Sequence, residues 1–359
     1  MEKKNSSGSA GLVAVLMIVI IIASFAALAM IYDRNSIENN SNVPAVAENS
    51  TVDSSSLTES MEIESIEEAS SIEETSETAV ESLKESEEYE AVSDEDFTAG
   101  YAILVDADNN EIIAGKNYDK KIYPASLTKI MTLLVAVENI DNLKDTYTFT
   151  YDDIHPLVVE NASRADFMED ETVTAEDLMY ASILVSGADG TLGLSNIVAG
   201  SEEAFVELMN KKAEEMGLKN THFTNASGLH DKNHYSTVED MAVILKTAVE
   251  NETCKEILSA VEYTTSKTKQ HEEGIILRSL VFQRLTDYYV ENGGDVLGGK
   301  TGFTDESKHS LATFYEDGGR NYICVTSKST DKWKAVEDSI MLYEKFAVGG
   351  SGSTVRERV

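Results

Sequence analysis

The amino-acid sequence predicts one α+β domain, and three observations carry that expectation. Short apolar runs of strand type open the stretch that begins near residue 97, and more recur towards its end. Between them lie segments with apolar residues at helical spacing and acids at their first turns. Helices in the middle with antiparallel strands at both ends place the strands in one sheet that joins the two ends of the domain.

Tyr101–Val105 and Glu111–Ala114 flank Asp108-Asn109-Asn110, which reads as a strand hairpin. Residues 126–139 carry Leu127, Ile130, Met131, Leu134 and Val137 at helical spacing. A second helix is expected over 174–185, opening with Thr174-Ala175-Glu176-Asp177. A third covers 201–216, opening with Ser201-Glu202-Glu203 and stopped at Gly217, and a fourth runs from Thr237 to about Val249. Val296-Leu297, Ser310–Tyr315 and Asn321–Lys328 read as antiparallel strands, the last two joined across Glu316-Asp317-Gly318-Gly319. A closing helix spans about 331–346, with Trp333 expected to pack it. There is no internal repeat.

The flanks differ in kind. Residues 1–9 hold Lys3 and Lys4, and residues 10–32 form an uncharged apolar run of 23, long enough to cross a bilayer as a helix. The preceding lysines put the N-terminus in the cytoplasm and export everything after residue 33. Ala27-Leu28-Ala29 also fits a signal-peptide cleavage site, so the run is an uncleaved anchor or a signal peptide. Both place the domain outside the cytoplasmic membrane. Residues 33–96 are rich in Ser, Glu and Thr. From 35 to 98 there are 19 acidic side chains against one lysine, Lys84, about half of the formal charge of −35. Such a segment buries too little apolar surface to offset its ordering entropy and is expected to be a disordered spacer. The domain then covers 97–348, and 349–359 read as a flexible tail. The strongly acidic balance excludes nucleic acid and anionic lipid head groups as partners.

Two cysteines give no disulfide framework and no metal spacing. Cys324 sits in an apolar run and reads as a small core residue, with a Cys254–Cys324 bridge as the other possibility. His230 and His234 have a spacing that zinc uses on a helix, but they fall in an Asp-Lys-Asn loop with no third ligand. A structural loop is the simpler reading.

Chemistry concentrates in two motifs. In Pro124-Ala125-Ser126-Leu127-Thr128-Lys129 a serine and a lysine lie three apart, so one helical turn puts the amine beside the hydroxyl. A serine is a weak nucleophile until a base takes its proton, and a lysine is a base only when desolvation or a nearby cation lowers its pKa. Alone, the pattern also fits an N-cap serine followed by an exposed lysine. The apolar character of the rest of that helix argues for burial of Lys129. The second motif, Gly298-Gly299-Lys300-Thr301-Gly302, ends an apolar strand. There a lysine can hold a carboxylate, Thr301 can hydrogen-bond it, and Gly302 permits close backbone approach.

In this order, on these elements, the two motifs resemble the S-x-x-K, S-x-N, K-T-G set of the penicillin-binding proteins and serine β-lactamases. Leu184-Val185-Ser186-Gly187-Ala188-Asp189 stands where the middle motif is expected. His222–Leu229, Asn233–Thr237 and Lys300–Glu306 are similar to the low-molecular-weight D-alanyl-D-alanine carboxypeptidases, and the likeness runs from about 98 to 347. It implies the penicillin-binding-protein-like transpeptidase fold, an antiparallel sheet with helices and a helical subdomain.

The resemblance also implies a two-step acyl transfer on a peptidoglycan stem peptide. Ser126 is the expected nucleophile, Lys129 its base, and Ser186 the group that relays a proton to the leaving D-alanine. Lys300, Thr301, Gly302 and Phe303 bind substrate, and the backbone N–H groups of Ser126 and Phe303 form the oxyanion hole. No metal or cofactor is needed, and β-lactam antibiotics should acylate Ser126. The chain departs from the pattern at Ala188, where the family carries asparagine, and a helical Asp189 would point about 100° away. Two rivals follow. A catalytically impaired wall-binding or regulatory relative would explain Ala188 but not the retention of Ser126, Lys129 and Lys300. A β-lactamase needs a glutamate after the middle motif, whereas Glu169-Asp170-Glu171 precedes it.

Overall fold

The sheet starts earlier in the chain than the sequence suggests. In a computed structural model describing residues 82–93, 95, 97–291 and 293–347, strand β1 (Lys84–Ala91) runs parallel to β3 (Glu111–Lys116). Part of the acidic segment expected to be disordered is therefore ordered. Its side chains are mostly exposed, so no apolar alternation announces the strand; backbone pairing to an open sheet edge supplies what local propensity lacks. The expected cytoplasmic terminus (1–9), the anchor or signal peptide (10–32), most of the spacer (33–81) and the tail (349–359) lie outside the described residues. Among the described residues no helix is long and apolar enough to cross a membrane.

Strand β2 (Tyr101–Asp106) pairs with β3 as the predicted hairpin. The chain then enters the helical part. A 3-10 turn (Ala125–Thr128) leads into α1 (Lys129–Asn139), a small ribbon pairs β4 (Thr146–Thr148) with β5 (Thr172–Thr174), and α2 (Tyr151–Val159) lies between those two strands in sequence. Helices α3 (Ala175–Leu184), α4 (Ala188–Ala199), α5 (Glu202–Glu215), α6 (Val238–Glu250) and α7 (Glu252–Ser259) follow. The predicted starts of α3, α5 and α6 are real caps. The side chains of Thr174, Ser201 and Thr237 accept from the backbone N–H groups of Asp177, Ala204 and Asp240. Gly217 takes the left-handed conformation just beyond α5.

A ribbon of β6 (Glu262–Thr264) and β7 (Ile276–Arg278) and the short helix α8 (Leu280–Leu285) bring the chain back to the sheet. There β8 (Asp295–Thr304), β9 (Lys308–Asp317) and β10 (Arg320–Ser329) form an antiparallel meander, closed by α9 (Lys332–Phe346). The six strands lie in the order β1-β3-β2-β10-β9-β8, so β2 and β10 join the two ends of the domain as expected. The sheet is antiparallel except at β1.

Alternate residues of the strands feed two cores. Ile103, Ala312, Phe314 and Val325 face the helical part, where they join Leu133, Leu134, Met179 and Ile244. Leu104, Leu311, Tyr315 and Cys324 face α9 and pack with Val336, Leu342 and Tyr343. Cys254 and Cys324 are both buried and free, so the disulfide alternative does not hold. Burial pushes both thiols up to about 12. Trp333 is not core: it is partly exposed and stacks on Tyr288, 6.5 Å between centroids.

Candidate active site

Ser126 sits on the 3-10 turn and not on the first turn of an α-helix, which corrects the expected helix start. The difference matters, because at three residues per turn positions i and i+3 eclipse. Lys129 therefore stands directly over Ser126, its Nζ 3.3 Å from Oγ. The turn is entered through Ala125, held at φ 49°, a left-handed conformation that non-glycine residues adopt at a cost. Gly228, itself at φ 81°, abuts this bend; a side chain there would collide with the Ala125 carbonyl. Ser126 is half-buried and Lys129 is buried.

The Lys129 amine donates a 2.5 Å hydrogen bond to the Ser227 carbonyl. Its burial outweighs the opposing pull of the Asp189 and Glu202 carboxylates and lowers its pKa to about 7. The amine is thus tuned to give and take a proton near neutrality. Below it, Thr132 donates to the Ala226 carbonyl at 2.7 Å, and Glu202 accepts from the Ala226 N–H at 2.9 Å. The 226–228 segment is a fixed wall, and its role as a lysine acceptor had no signal in the sequence beyond the Ala226-Ser227-Gly228 likeness.

Ser186 lies between α3 and α4 at φ 62°, the second left-handed non-glycine residue of the site. Its Oγ accepts from Lys300 Nζ at 2.9 Å, and Lys300 also donates to the Thr301 carbonyl at 2.9 Å. Lys300 is buried. Desolvation, then the cations of Lys129 and Arg284, hold its pKa well below the usual lysine range. Strand β8 passes close to the nucleophile turn: a Cβ on Gly302 would lie 3.2 Å from the Pro124 carbonyl oxygen and 3.4 Å from the Leu127 nitrogen. Gly302 thus serves the approach of two protein segments. Thr301 is buried beside Lys300, whereas Phe303 is half exposed and stacks on His309 at 4.5 Å. β8 ends the sheet, so one side of its backbone carries no strand among the described residues.

Ser126, Lys129, Ser186 and Lys300 are therefore brought together as two hydroxyl–amine pairs, with Thr301, Gly302 and Phe303 continuing along the edge strand. The match to a family model described as D-alanyl-D-alanine carboxypeptidase, peptidase S11, covers residues 88–330. The chain belongs to that family.

Among its relatives, D-alanyl-D-alanine carboxypeptidase DacF of Bacillus subtilis is 30% identical over 242 residues, 67% of this chain and 60% of DacF. DacA of Haemophilus influenzae is also 30% identical, over 70% of this chain and 62% of its own length. The chain thus spans about three fifths of these relatives. The Streptomyces K15 DD-transpeptidase superposes with a TM-score of 0.63 at 27% identity, over 70% of this chain and 99% of that one. A D-alanyl-D-alanine carboxypeptidase from Mycobacterium tuberculosis, 24% identical, shares the fold with a TM-score of 0.62. The penicillin-binding-protein fold expected from the motifs is the fold observed.

Two residues near the family motif have structural explanations. Ala188 opens α4, buried, and donates its N–H to the Ser163 carbonyl at 2.7 Å. The Asp189 carboxylate is taken up by backbone donors. It accepts from the backbone N–H groups of Ala165, Asp166, Phe167 and Gly190, pinning the 165–167 loop. Neither supplies the amide of the family's asparagine. His234 is also structural: its ring lies between Thr128 (2.7 Å) and the N–H of Thr224 (3.2 Å), while His230 packs edge-on against Tyr123. No cluster of metal-ligating side chains is found among the described residues.

Proposed function

We propose that the protein is a serine-type D-alanyl-D-alanine carboxypeptidase acting on peptidoglycan stem peptides. The observation that supports this most directly is a buried lysine, with its pKa lowered to about 7, stacked 3.3 Å from a half-buried serine hydroxyl. Neutral Lys129 takes the Ser126 proton as Oγ bonds to the carbonyl carbon between the two terminal D-alanines. The backbone N–H groups of Ser126 and Phe303 receive the developing oxyanion. The C–N bond then breaks. The proton held by Lys129 passes through Ser186, itself held by Lys300, to the departing amine, which restores both Lys129 and Ser186, and Lys300 and Thr301 hold the leaving residue's carboxylate. Water attacks the Ser126 ester with Lys129 again as base, freeing the shortened peptide and the hydroxyl.

A β-lactam ring presents the same carbonyl to Ser126 and leaves it acylated. The apolar run 10–32 supports attachment to the cytoplasmic membrane, with the domain on its outer side. Labelled penicillin given to the full chain and to Ser126→Ala tests the acylation step; label on both, or on neither, defeats it. Release of D-alanine from a pentapeptide tests hydrolysis. Acylation without release would favour the impaired relative, the reading that Ala188 supports.

A further inference from the structure

The wall that receives the Lys129 amine is held from two helices. Thr132 lies one turn beyond Lys129 on α1 and donates to the Ala226 carbonyl at 2.7 Å. Glu202 opens α5, and its Oε1 accepts from the N–H of the same residue at 2.9 Å. Both polar groups of the Ala226 backbone are therefore taken up by side chains, and the next carbonyl along, that of Ser227, accepts from Lys129 Nζ. Asn225 closes the turn, its Oδ1 accepting from the Ser227 hydroxyl at 3.2 Å and the Gly228 N–H at 2.7 Å. The helix behind Glu202 is well anchored: Ser201 caps it, and Phe205 and Met209 are buried in the helical core.

Charge gives the same carboxylate a second role. Within electrostatic reach of Lys129 lie Asp189 from α4, Glu202 from α5, His234 from the loop before α6 and Lys300 from β8. Asp189 and then Glu202 favour the protonated amine, against burial. The two carboxylates differ in what else they do. Asp189 receives the N–H groups of Ala165, Asp166, Phe167 and Gly190, and burial raises its pKa. Glu202 is half-buried in a helix's first turn, where negative charge is favoured, and it holds the wall on which the amine leans.

We infer that Glu202 is a positioning residue for the base: through Ala226 it fixes the Ser227 carbonyl against Lys129, and its charge steadies the ammonium formed when Ser126 gives up its proton. The inference rests on the proposed acyl-transfer reading, in which Lys129 is that base. Glu202 itself neither takes nor gives a proton in the reaction.

Glu202→Gln isolates the charge, because the amide oxygen of glutamine can still accept from Ala226. The test follows the full chain, isotope-labelled at lysine Cε, by NMR; the Lys129 signal is the one missing in Lys129→Met. In Glu202→Gln that signal should titrate about half a pH unit or more below the parent. Penicillin acylation should follow it, running about threefold faster than the parent at pH 6 with no gain above pH 8. Glu202→Ala loses the acceptor as well, so it should keep the displaced titration but acylate about tenfold more slowly above pH 8. An unmoved Lys129 titration in Glu202→Gln overturns the inference. So does an equal fall in acylation at every pH with a lower melting temperature, which marks a merely structural side chain, and so do equal rates above pH 8 in the two variants. A displaced titration in protein that takes up no penicillin, parent included, would instead strike the acyl-transfer reading and leave the tie between Glu202 and Lys129 standing.

Discussion

The amine of Lys129 lies nearer to the carbonyl oxygen of Ser227, at 2.5 Å, than to the hydroxyl of Ser126, at 3.3 Å. A neutral amine can donate to the carbonyl and still turn its lone pair to the serine, whereas a protonated one has no lone pair. The base is therefore competent only after losing its proton. The rate of acylation should rise with pH through about 7, tenfold per unit on the acid side, and level off above. Lys129→Met should abolish that inflection and lower the rate by about 10²–10⁴, the range for a general base. A rate independent of pH between 5 and 9 in the parent enzyme would remove Lys129 from this role.

Ala188 leaves the site one polar arm short. Its Cβ belongs to the first turn of α4, next to Ser186, so an asparagine there introduces a carboxamide at the position where the family keeps one. Ala188→Asn should raise kcat/KM for a pentapeptide by about tenfold, the worth of one hydrogen bond to a charged or reacting group. Unchanged or reduced kcat/KM in a folded variant would mean that this chain has reorganised around alanine.

His234 sets a limit on acid stability. The Thr224 N–H donates to its Nδ1, so that atom is an acceptor and Nε2 carries the proton given to Thr128. Burial, reinforced by His222, lowers its pKa to about 4. The unfolded imidazole takes up its proton near 6.5 and the folded one not until about 4, so stability falls as pH drops through that window. The full loss is roughly 3 kcal/mol. Denaturant midpoints measured at pH 7, 5.5 and 4.5 should decline in the parent. The His234→Gln variant, less stable at pH 7, should show a shallower decline; parallel slopes would exclude His234 as the cause.

Strand β1 shields the edge of β3. Removing residues 82–93 takes away that strand together with the Glu85 acceptor of the Tyr118 hydroxyl, and exposes unpaired backbone groups. A chain shortened in this way should self-associate on size-exclusion chromatography while still reacting with penicillin. If it stays monomeric at high concentration, β1 is not an edge guard.

Much of this architecture was legible from residues alone, and the parts that were not share a cause. Caps at Thr174, Ser201 and Thr237 and the stop at Gly217 are local chemistry, written within a few residues of where they act. Helix α4 shows no such stripe: Ala188, Asp189, Gly190, Thr191, Gly193 and Ser195 are small or polar yet buried, so no amphipathic period marks it. β1 exists through pairing with a strand 27 residues further on, and its own composition argues against order. The three-residue ribbons are too short to carry an alternation. At the site, the i, i+3 relation of Ser126 and Lys129 was readable, because any helical turn supplies it. The Ser227 acceptor arrives from a segment 98 residues beyond Lys129. Apart from the likeness at Ala226-Ser227-Gly228, nothing in its own neighbourhood announces it.

Ala125 and Ser186, both left-handed and both flanking the reacting atoms, put the least relaxed backbone of the site where the chemistry is proposed to occur. Glycine at either position would ease the fold by up to about 1–2 kcal/mol. A laboratory search rewarding only heat resistance would thus drift towards glycine there. It would harvest sturdier proteins that had lost the Ser186 hydroxyl or the fixed entry to the Ser126 turn.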